Sequence, residues 1–350
     1  MIDNDGVRST EAPDCPFCGG RGEMLHEGLR DRYFGAPGRW SYLRCYACGH
    51  VWLQPRPEPS EVAKLYPSYW DDYGAAFGQP MRSADAAPGS AYHTGRAMLV
   101  ALGYRSAMRS RRDVWLGKML LAAAPLREIA EGEVLSLHGP ARGRLLDVGC
   151  GDGAFLAQMR SLGWEVEGLE SDPAAVRIAR TRRGLAVTEA TIGGARLPEE
   201  SYDAITMSHV IEHLWEPVQD LASVSAWLKP AGTLVLRTPN VDSLGHRRFQ
   251  EDWMPLEPPR HIHLFTTRTL RVCVERAGLR VVDLHTSARI AQGIFDSSRA
   301  IQDPGQPAVN GRIRHRSLRA RIFIVEEMLA CLAGGEVGEE IVLLGTRDAR

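Results

Sequence analysis

The 350-residue sequence contains no apolar run near the roughly 18–20 residues needed to cross a bilayer; the longest, around Met119 to Leu126, is far shorter and adjoins charge. The opening stretch, Met1 to Glu11, is polar and acidic and lacks the apolar segment of a secretion signal, so the expected location is the cytoplasm. Neither charge is in excess. With 42 Lys and Arg against 43 Asp and Glu, the net charge of −1 excludes a global basic field that would draw the chain to nucleic acid or an anionic membrane. There is no internal repeat. A disulfide framework is also excluded, because the seven cysteines are odd in number and four of them cluster in two close pairs. What remains, 44% hydrophobic and 24% charged residues, is the composition of a globular chain of one large domain or two smaller ones.

The paired cysteines come first. Cys15-Pro-Phe-Cys18-Gly and Cys45-Tyr-Ala-Cys48-Gly are two knuckles, each placing two thiolates where one ion can bind both, with Gly19 and Gly49 permitting the turn just past the ligands. Together Cys15, Cys18, Cys45 and Cys48 make one tetrahedral zinc site. With four thiolates there is no open position for catalysis, so the zinc is structural. Residues 12–55 therefore read as a zinc ribbon, too small to bury a core of its own and dependent on metal binding worth about 10–16 kcal/mol in comparable peptides. Residues 56–142 read as a connector rich in Pro, Gly and aromatics, followed by one or two helices between Tyr92 and Ala130 with a break at Pro125. Their apolar surface either packs on the next domain or caps a pocket.

From Arg144 the chain changes character. Arg-Leu-Leu-Asp147-Val-Gly149-Cys-Gly151-Asp-Gly153-Ala-Phe-Leu is a short apolar strand, a glycine turn and a helix, the ligand-binding first unit of an open α/β sheet. Strands over Glu165 to Glu170, Ala186 to Glu189, Tyr202 to Ser208 and Gly232 to Pro239 alternate with helices over Ala174 to Arg183 and Val218 to Leu228. A helix from Thr267 to Ala277 and strands from Arg280 to His285 and Glu340 to Gly345 complete the pattern, which predicts a parallel sheet with helices on both faces. The turn lacks the third spaced glycine of a dinucleotide fingerprint. An anion there would also meet Asp147 and Asp152, whereas a zwitterion with an ammonium and a sulfonium is welcome.

Within the domain 143–350, these residues resemble the class I S-adenosylmethionine-dependent methyltransferases over 143–347. The resemblance rests on Leu-Leu-Asp-Val-Gly-Cys-Gly-Asp-Gly, Gly-Leu-Glu-Ser-Asp-Pro, Tyr-Asp-Ala-Ile-Thr-Met-Ser-His-Val-Ile-Glu-His-Leu and Leu-Lys-Pro-Ala-Gly-Thr-Leu-Val-Leu in that order. It implies a Rossmann-like seven-stranded sheet whose last strand is antiparallel, and S-adenosyl-L-methionine as cofactor. It further implies that Gly149, Gly151 and Gly153 pass under the methionine part, that Asp147 orients nearby amides or the ammonium, and that Glu170 accepts both ribose hydroxyls; Ser208 is assigned to the same site. An acid that in the family reads the adenine amine has no counterpart after the third strand, where Glu189 stands one step early. With its four-cysteine ribbon and Tyr-rich connector, the whole chain is similar to bacterial methyltransferases of polysaccharide, sugar and natural-product pathways, which implies a small-molecule or carrier-bound acceptor.

The acceptor side is expected in the loops after the fourth and fifth strands, since open α/β sheets bind ligands at strand C-termini. Those loops carry His209, Glu212 and His213, then His261 and His263. Spacing of i, i+3 and i+4 lets His209, Glu212 and His213 converge on one helical face, with His261 or His263 opposite. One imidazole can act as general base, or His209, Glu212, His213 and His261 can hold a second divalent ion. The latter arrangement is similar to the small-RNA 2′-O-methyltransferase family, in which a Glu takes the place of His209. No Asn/Asp-Pro-Pro-Tyr amine-methylating motif is present, which leaves oxygen or carbon as the accepting atom. Arginines at 109, 111, 112, 312, 314, 316, 319 and 321 either grip phosphates or line solvated helix faces. The alternative reading is a zinc-ribbon RNA-binding protein whose methyltransferase domain modifies RNA; the balanced charge favours the small acceptor.

Overall fold

The computed structural model describes residues 2–32, 35–66, 90–104, 107–108, 110–139, 143–303 and 318–348. Its centre is a seven-stranded sheet built from β7 (Arg144–Val148), β8 (Glu165–Glu170), β9 (Val187–Glu189), β10 (Tyr202–Ser208), β11 (Leu228–Pro239), β13 (Arg280–Ser287) and β14 (Glu340–Thr346). The spatial order is β13-β14-β11-β10-β7-β8-β9. The pairings β7 to β8, β8 to β9, β10 to β7 and β10 to β11 are parallel, while β14 runs antiparallel between β11 and β13. Strands that are buried on both faces read as apolar runs, and Ala204, Ile205, Met207, Leu234, Val235 and Leu236 are all essentially inaccessible.

Helices on both faces follow from the alternation: α5 (Ala154–Ser161), α6 (Pro173–Arg183), α7 (Pro217–Trp227) and α9 (Thr267–Arg276). Their ends carry recognisable signals. Asp172 caps α6 by accepting from the N–H groups of Ala174 and Ala175, Pro173 occupies its first turn, and Gly184 closes it with φ +60°. The helical segment before the sheet contains three helices rather than one or two: α2 (Ser90–Ala101), α3 (Arg111–Leu121) and α4 (Ala124–Glu133). Pro125 lies in the first turn of α4, where its missing N–H costs nothing, so it begins a helix as well as ending one.

The N-terminal region is not self-contained. Strands β3 (Gly22–Leu29), β4 (Trp40–Cys45) and β5 (Val51–Gln54) form a sheet whose fourth strand, β12 (His263–Leu264), comes from the far side of the sequence; His263 pairs with Trp52 and Leu264 with Val51. A smaller sheet joins β1 (Ile2–Asn4), β2 (Val7–Thr10) and β6 (Arg56–Pro57). Trp40, Tyr42 and Leu53 pack with Trp253, Leu256 and Phe295, while Phe17 and Trp52 join the core beneath the main sheet with Phe265 and Leu270. Burying each large side chain is worth about 1.5–3 kcal/mol. The ribbon thus obtains a core by sharing one, and metal binding is not its sole source of folding energy. The loop after β11 is ordered around it by α8 (Leu244–Phe249) and two short 3-10 turns, against which α10 (Ala291–Gln302) packs.

Candidate functional site

The four cysteines converge as the two knuckles require. Gly19 N–H donates to Cys15 O and Gly49 N–H to Cys45 O, with φ +69° at Gly19 and +78° at Gly49, a region in which other residues are strained. The Sγ atoms of Cys15 and Cys48 are 3.6 Å apart, those of Cys18 and Cys45 3.4 Å, and those of Cys18 and Cys48 3.6 Å. All four lie within 4.8 Å of one another. A tetrahedral Zn²⁺ with bonds of about 2.3 Å separates its sulfurs by about 3.8 Å, so the donor set and its dimensions fit a structural zinc site. Burial raises the Cys15 and Cys48 thiols, whereas N–H groups of Cys48 and Ala47 and the neighbouring thiol of Cys18 outweigh burial at Cys45 and hold it down to about 7; a bound cation would draw all four toward the thiolate.

The second constellation lies at the C-terminal ends of β7, β8 and β10. Gly149, Gly151 and Gly153 all have positive φ, at +71°, +53° and +77°, and Gly153 is the N-cap of α5. A Cβ on Gly149 would stand 2.5 Å from Val210, and one on Gly153 2.4 Å from Leu185, so both space and backbone demand glycine there. Glu170, buried at the end of β8, accepts from Gly151 N–H (2.9 Å), Ser171 N–H (2.7 Å) and Asp172 N–H (2.9 Å), which locks the strand end to the glycine turn. Asp147 is buried within β7 and accepts from Thr206 Oγ1 at 2.6 Å. Burial, and Glu170 nearby, push it up to about 7. A cation placed beside it would restore the charged form, which suits an ammonium. Asp152 is different: it pairs with Arg183 at 2.6 Å, whereas neither Asp147 nor Glu170 is in an ion pair among the described residues. Ser208 ends β10 at the same rim, and Glu189 is exposed on β9 in register with Glu170.

The histidines separate into three situations. His209 follows β10 with φ +57°, off any helix, and its ring sits between two fully buried carboxylates: Nδ1 is 3.3 Å from Glu212 and Nε2 3.1 Å from Glu340. Although burial lowers it, the two acids raise its imidazole to about 10. Both ring nitrogens thus face carboxylates, and His209 is not part of the set of ligand atoms that Glu212, His213 and His261 bring together. His213 lies in a 3-10 turn, Ile211–His213, rather than on a helix. Its Nδ1–H donates to Arg260 O (3.0 Å), and His261 Nδ1–H donates to Pro255 O (2.7 Å), with His261 Nε2 3.7 Å from Glu257. The two rings meet edge to face, 4.8 Å between centroids. Burial, reinforced by His261, lowers the His213 imidazole to about 4, so it is neutral at physiological pH.

Glu212 completes the cluster. Its Oε2 accepts from Thr238 Oγ1 at 3.0 Å, and although burial opposes ionisation, His209 holds its carboxyl down to about 2. Ligand atoms of Glu212, His213 and His261 lie within 4.8 Å of one another, a set of three that could coordinate a second ion. His263 is not brought to it. Its Nδ1 pairs with His50 Nε2 at 2.9 Å among Phe17 and Phe265, because β12 carries it into the ribbon sheet.

Tyr66 was not singled out as a site residue from the sequence, since it sits in the Tyr-rich connector. Its hydroxyl lies 3.4 Å from His213 Nδ1, and burial, opposed by Arg260 and aided by Glu257, raises it. Arg260 anchors that position: fully buried, it pairs with Asp31 (2.7 Å) and Glu257 (2.8 Å) and donates to Leu65 O at the end of α1 (Val62–Leu65). Of the arginine groups, Arg111 and Arg112 are exposed on α3, Arg319 and Arg321 are exposed further on, and residues 109, 312, 314 and 316 lie outside the described residues.

A strand order with one antiparallel strand between β11 and β13, a glycine turn after β7 and an acid at the end of β8 together decide the architecture. The fold is that of the class I S-adenosylmethionine-dependent methyltransferases. A family model described as a methyltransferase domain matches residues 122–284. A ubiquinone biosynthesis O-methyltransferase of Xanthomonas axonopodis is 35% identical over 107 residues, 29% of this chain and 45% of that protein. One from Cereibacter sphaeroides is 30% identical over 161 residues, 43% of this chain and 65% of that protein. The chain thus spans about half to two thirds of the length of these curated relatives. A crystal structure of an S-adenosylmethionine-dependent methyltransferase from Mesorhizobium loti aligns with 63% of this chain and 98% of its own, at 16% identity and a TM-score of 0.44. Among the described residues of this methyltransferase-fold chain, no helix is long and apolar enough to cross a membrane.

Proposed function

We propose that this protein transfers the methyl group of S-adenosylmethionine to an oxygen or carbon of a small-molecule or carrier-bound acceptor, a sugar or natural-product intermediate. The observation that carries the reading is that two chemically distinct groups follow the C-terminal ends of strands in one sheet: buried acids around a glycine turn, and a cluster of Glu212, His213 and His261 whose His213 imidazole is neutral and lies 3.4 Å from the Tyr66 hydroxyl. In this reading Asp147 holds the cofactor's ammonium, Glu170 accepts a ribose hydroxyl on the remaining lone pair of Oε2, Gly149, Gly151 and Gly153 let the cofactor lie against the backbone, and Ser208 borders it. The cofactor, when bound, supplies an electrophilic methyl group. The protein aligns donor and acceptor, and His213, with His261 beside it, takes the acceptor's proton at Nε2. Alternatively Glu212, His213 and His261 hold a divalent ion that lowers the acceptor's pKa.

His209 in this account is a fixed cation that keeps Glu212 ionised and oriented. The balanced charge supports a small acceptor over nucleic acid. Release of S-adenosylhomocysteine measured against nucleotide sugars, carrier-bound polyketide intermediates and short RNAs tests the proposal. Turnover with a small or carrier-bound acceptor is expected, and turnover with RNA alone would overturn it.

A further inference from the structure

Helix α11 (Leu318–Leu332) is apolar on two opposite faces, and among the described residues only one of them is covered. Ala320, Phe323 and Glu327 are buried on the inner face, where Phe323 packs against Phe295 of α10 at 5.1 Å between rings. The outer face presents Leu318, Ile322, Val325, Leu329 and Leu332, every one of them more than half exposed. A contiguous apolar stripe left in water is a surface for another element to cover. The outer residues are spaced 4, 3, 4 and 3 apart, the alternation that keeps a seam facing a second helix. Taking Ile322 and Leu329 as a positions and Leu318, Val325 and Leu332 as d positions, Ala320 and Glu327 fall at f, opposite the seam, where the chain covers them.

We infer that this face docks on the same face of a second copy of this chain, forming a two-fold helix pair. The charges beside the seam are self-complementary. Arg319 and Glu326 occupy e positions and Arg321 a g position, all three exposed. In a parallel pair Arg321 of one copy meets Glu326 of the other, and in an antiparallel pair Arg319 does, so either polarity brings opposite charges together. A 15-residue helix is about 22 Å long. One such contact falls short of the roughly 800 Å² per partner of a standard interface, so the association is reversible and concentration-dependent.

The test is sedimentation velocity on the full chain with zinc bound, from low micromolar to several hundred micromolar. Wild-type protein is expected to pass from monomer to dimer. Ile322→Glu and Leu329→Glu, both at exposed positions that leave the inner face intact, are expected to stay monomeric with unchanged melting temperature and zinc content. Glu326→Arg is expected to weaken the dimer at least tenfold. Mixing it with Arg321→Glu restores association if the helices are parallel, and mixing it with Arg319→Glu restores it if they are antiparallel. A wild-type chain that remains monomeric throughout, with hydrogen exchange protecting 318–332 because another segment of the same chain covers the face, overturns the inference. So does a dimer that Ile322→Glu and Leu329→Glu leave intact.

Discussion

Glu170 accepts the backbone N–H of Gly151 at 2.9 Å, so the acid that ends β8 and the glycine turn that follows β7 form one rigid unit. The carboxylate has about four lone-pair directions, and backbone donors occupy three, two of them on Oε1. Any diol that binds there uses what is left on Oε2, in a geometry already set before the ligand arrives.

Cofactor affinity is therefore expected to respond differently to two changes at Glu170. Glu170→Ala removes the acceptor and releases the turn, and should cost about tenfold or more in S-adenosylmethionine affinity, in line with about 1.5–3 kcal/mol for a hydrogen bond to a charged group. Glu170→Gln keeps an acceptor and should retain most of the affinity. Gly151→Val places a branched side chain at φ +53° beside the ligand and should abolish binding. Calorimetric titration of the three variants checks the assignment, and wild-type affinity in Gly151→Val would move the ligand elsewhere.

Loss of zinc should reach beyond the ribbon. Cys15, Phe17, Cys45 and Trp52 share a core with Phe265 and Leu270 of the methyltransferase-fold domain, and β12 is hydrogen-bonded to β5. Cys15→Ser or Cys48→Ser should lower the metal content from one zinc per chain and expose the N-terminal 55 residues to proteolysis. It should also lower the melting temperature of the whole chain as one transition. Elemental analysis with limited proteolysis reads the first two effects, and scanning calorimetry the third.

The difference between these two sites shows what the sequence could carry. The proposed cofactor constellation is made by short local segments, strand to turn to helix, so the placing of Asp147, Gly149 and Gly151 at the end of β7 and of Glu170 at the end of β8 is legible from them. The zinc knuckles are equally local. The proposed acceptor side involves the loop from Asn240 to Phe265, whose path depends on packing with distant elements. His263 looks like a partner of His213 until β12 is seen to join the ribbon sheet, which turns its ring toward His50. His209 looks like a ligand until Glu340, which lies 131 residues away in sequence, occupies its second nitrogen. Tyr66 could not be singled out because its position is fixed by Arg260, which reaches back to Leu65 and Asp31.

The His209 arrangement has a definite pH signature. Its folded pKa is raised to about 10 from an ordinary 6.5, so the stabilisation it provides is complete below about pH 6.5 and is lost as the pH climbs toward 10. His209→Asn, chosen because Asn tolerates positive φ, leaves Glu212 and Glu340 without the shared cation. The melting-temperature deficit of this variant relative to wild type should be largest near pH 6 and should narrow steadily up to pH 10. A deficit that does not change over this range would mean that the ring is neutral in the folded protein.

Turnover should depend on His213 and His261 without cofactor binding depending on them. Each holds its Nδ1–H on a backbone carbonyl, and neither hydrogen bond involves Asp147 or Glu170. His213→Ala and His261→Ala are expected to reduce turnover by about a hundredfold or more, the usual size of a lost general base, while S-adenosylmethionine affinity stays near wild type. Because His213 is lowered to about 4, its basic form persists across neutral pH. The acid limb of the rate profile attributable to it should therefore fall near pH 4 to 5 rather than near 6.5, and should vanish in His213→Ala. A chelator that leaves the ribbon zinc in place separates the two mechanisms. If Glu212, His213 and His261 hold an ion, activity disappears on chelation and returns with Mg²⁺, Mn²⁺ or Fe²⁺; if His213 is the base, chelation changes nothing. Normal turnover by both alanine variants with the true acceptor would make the pair structural and remove this site from the chemistry.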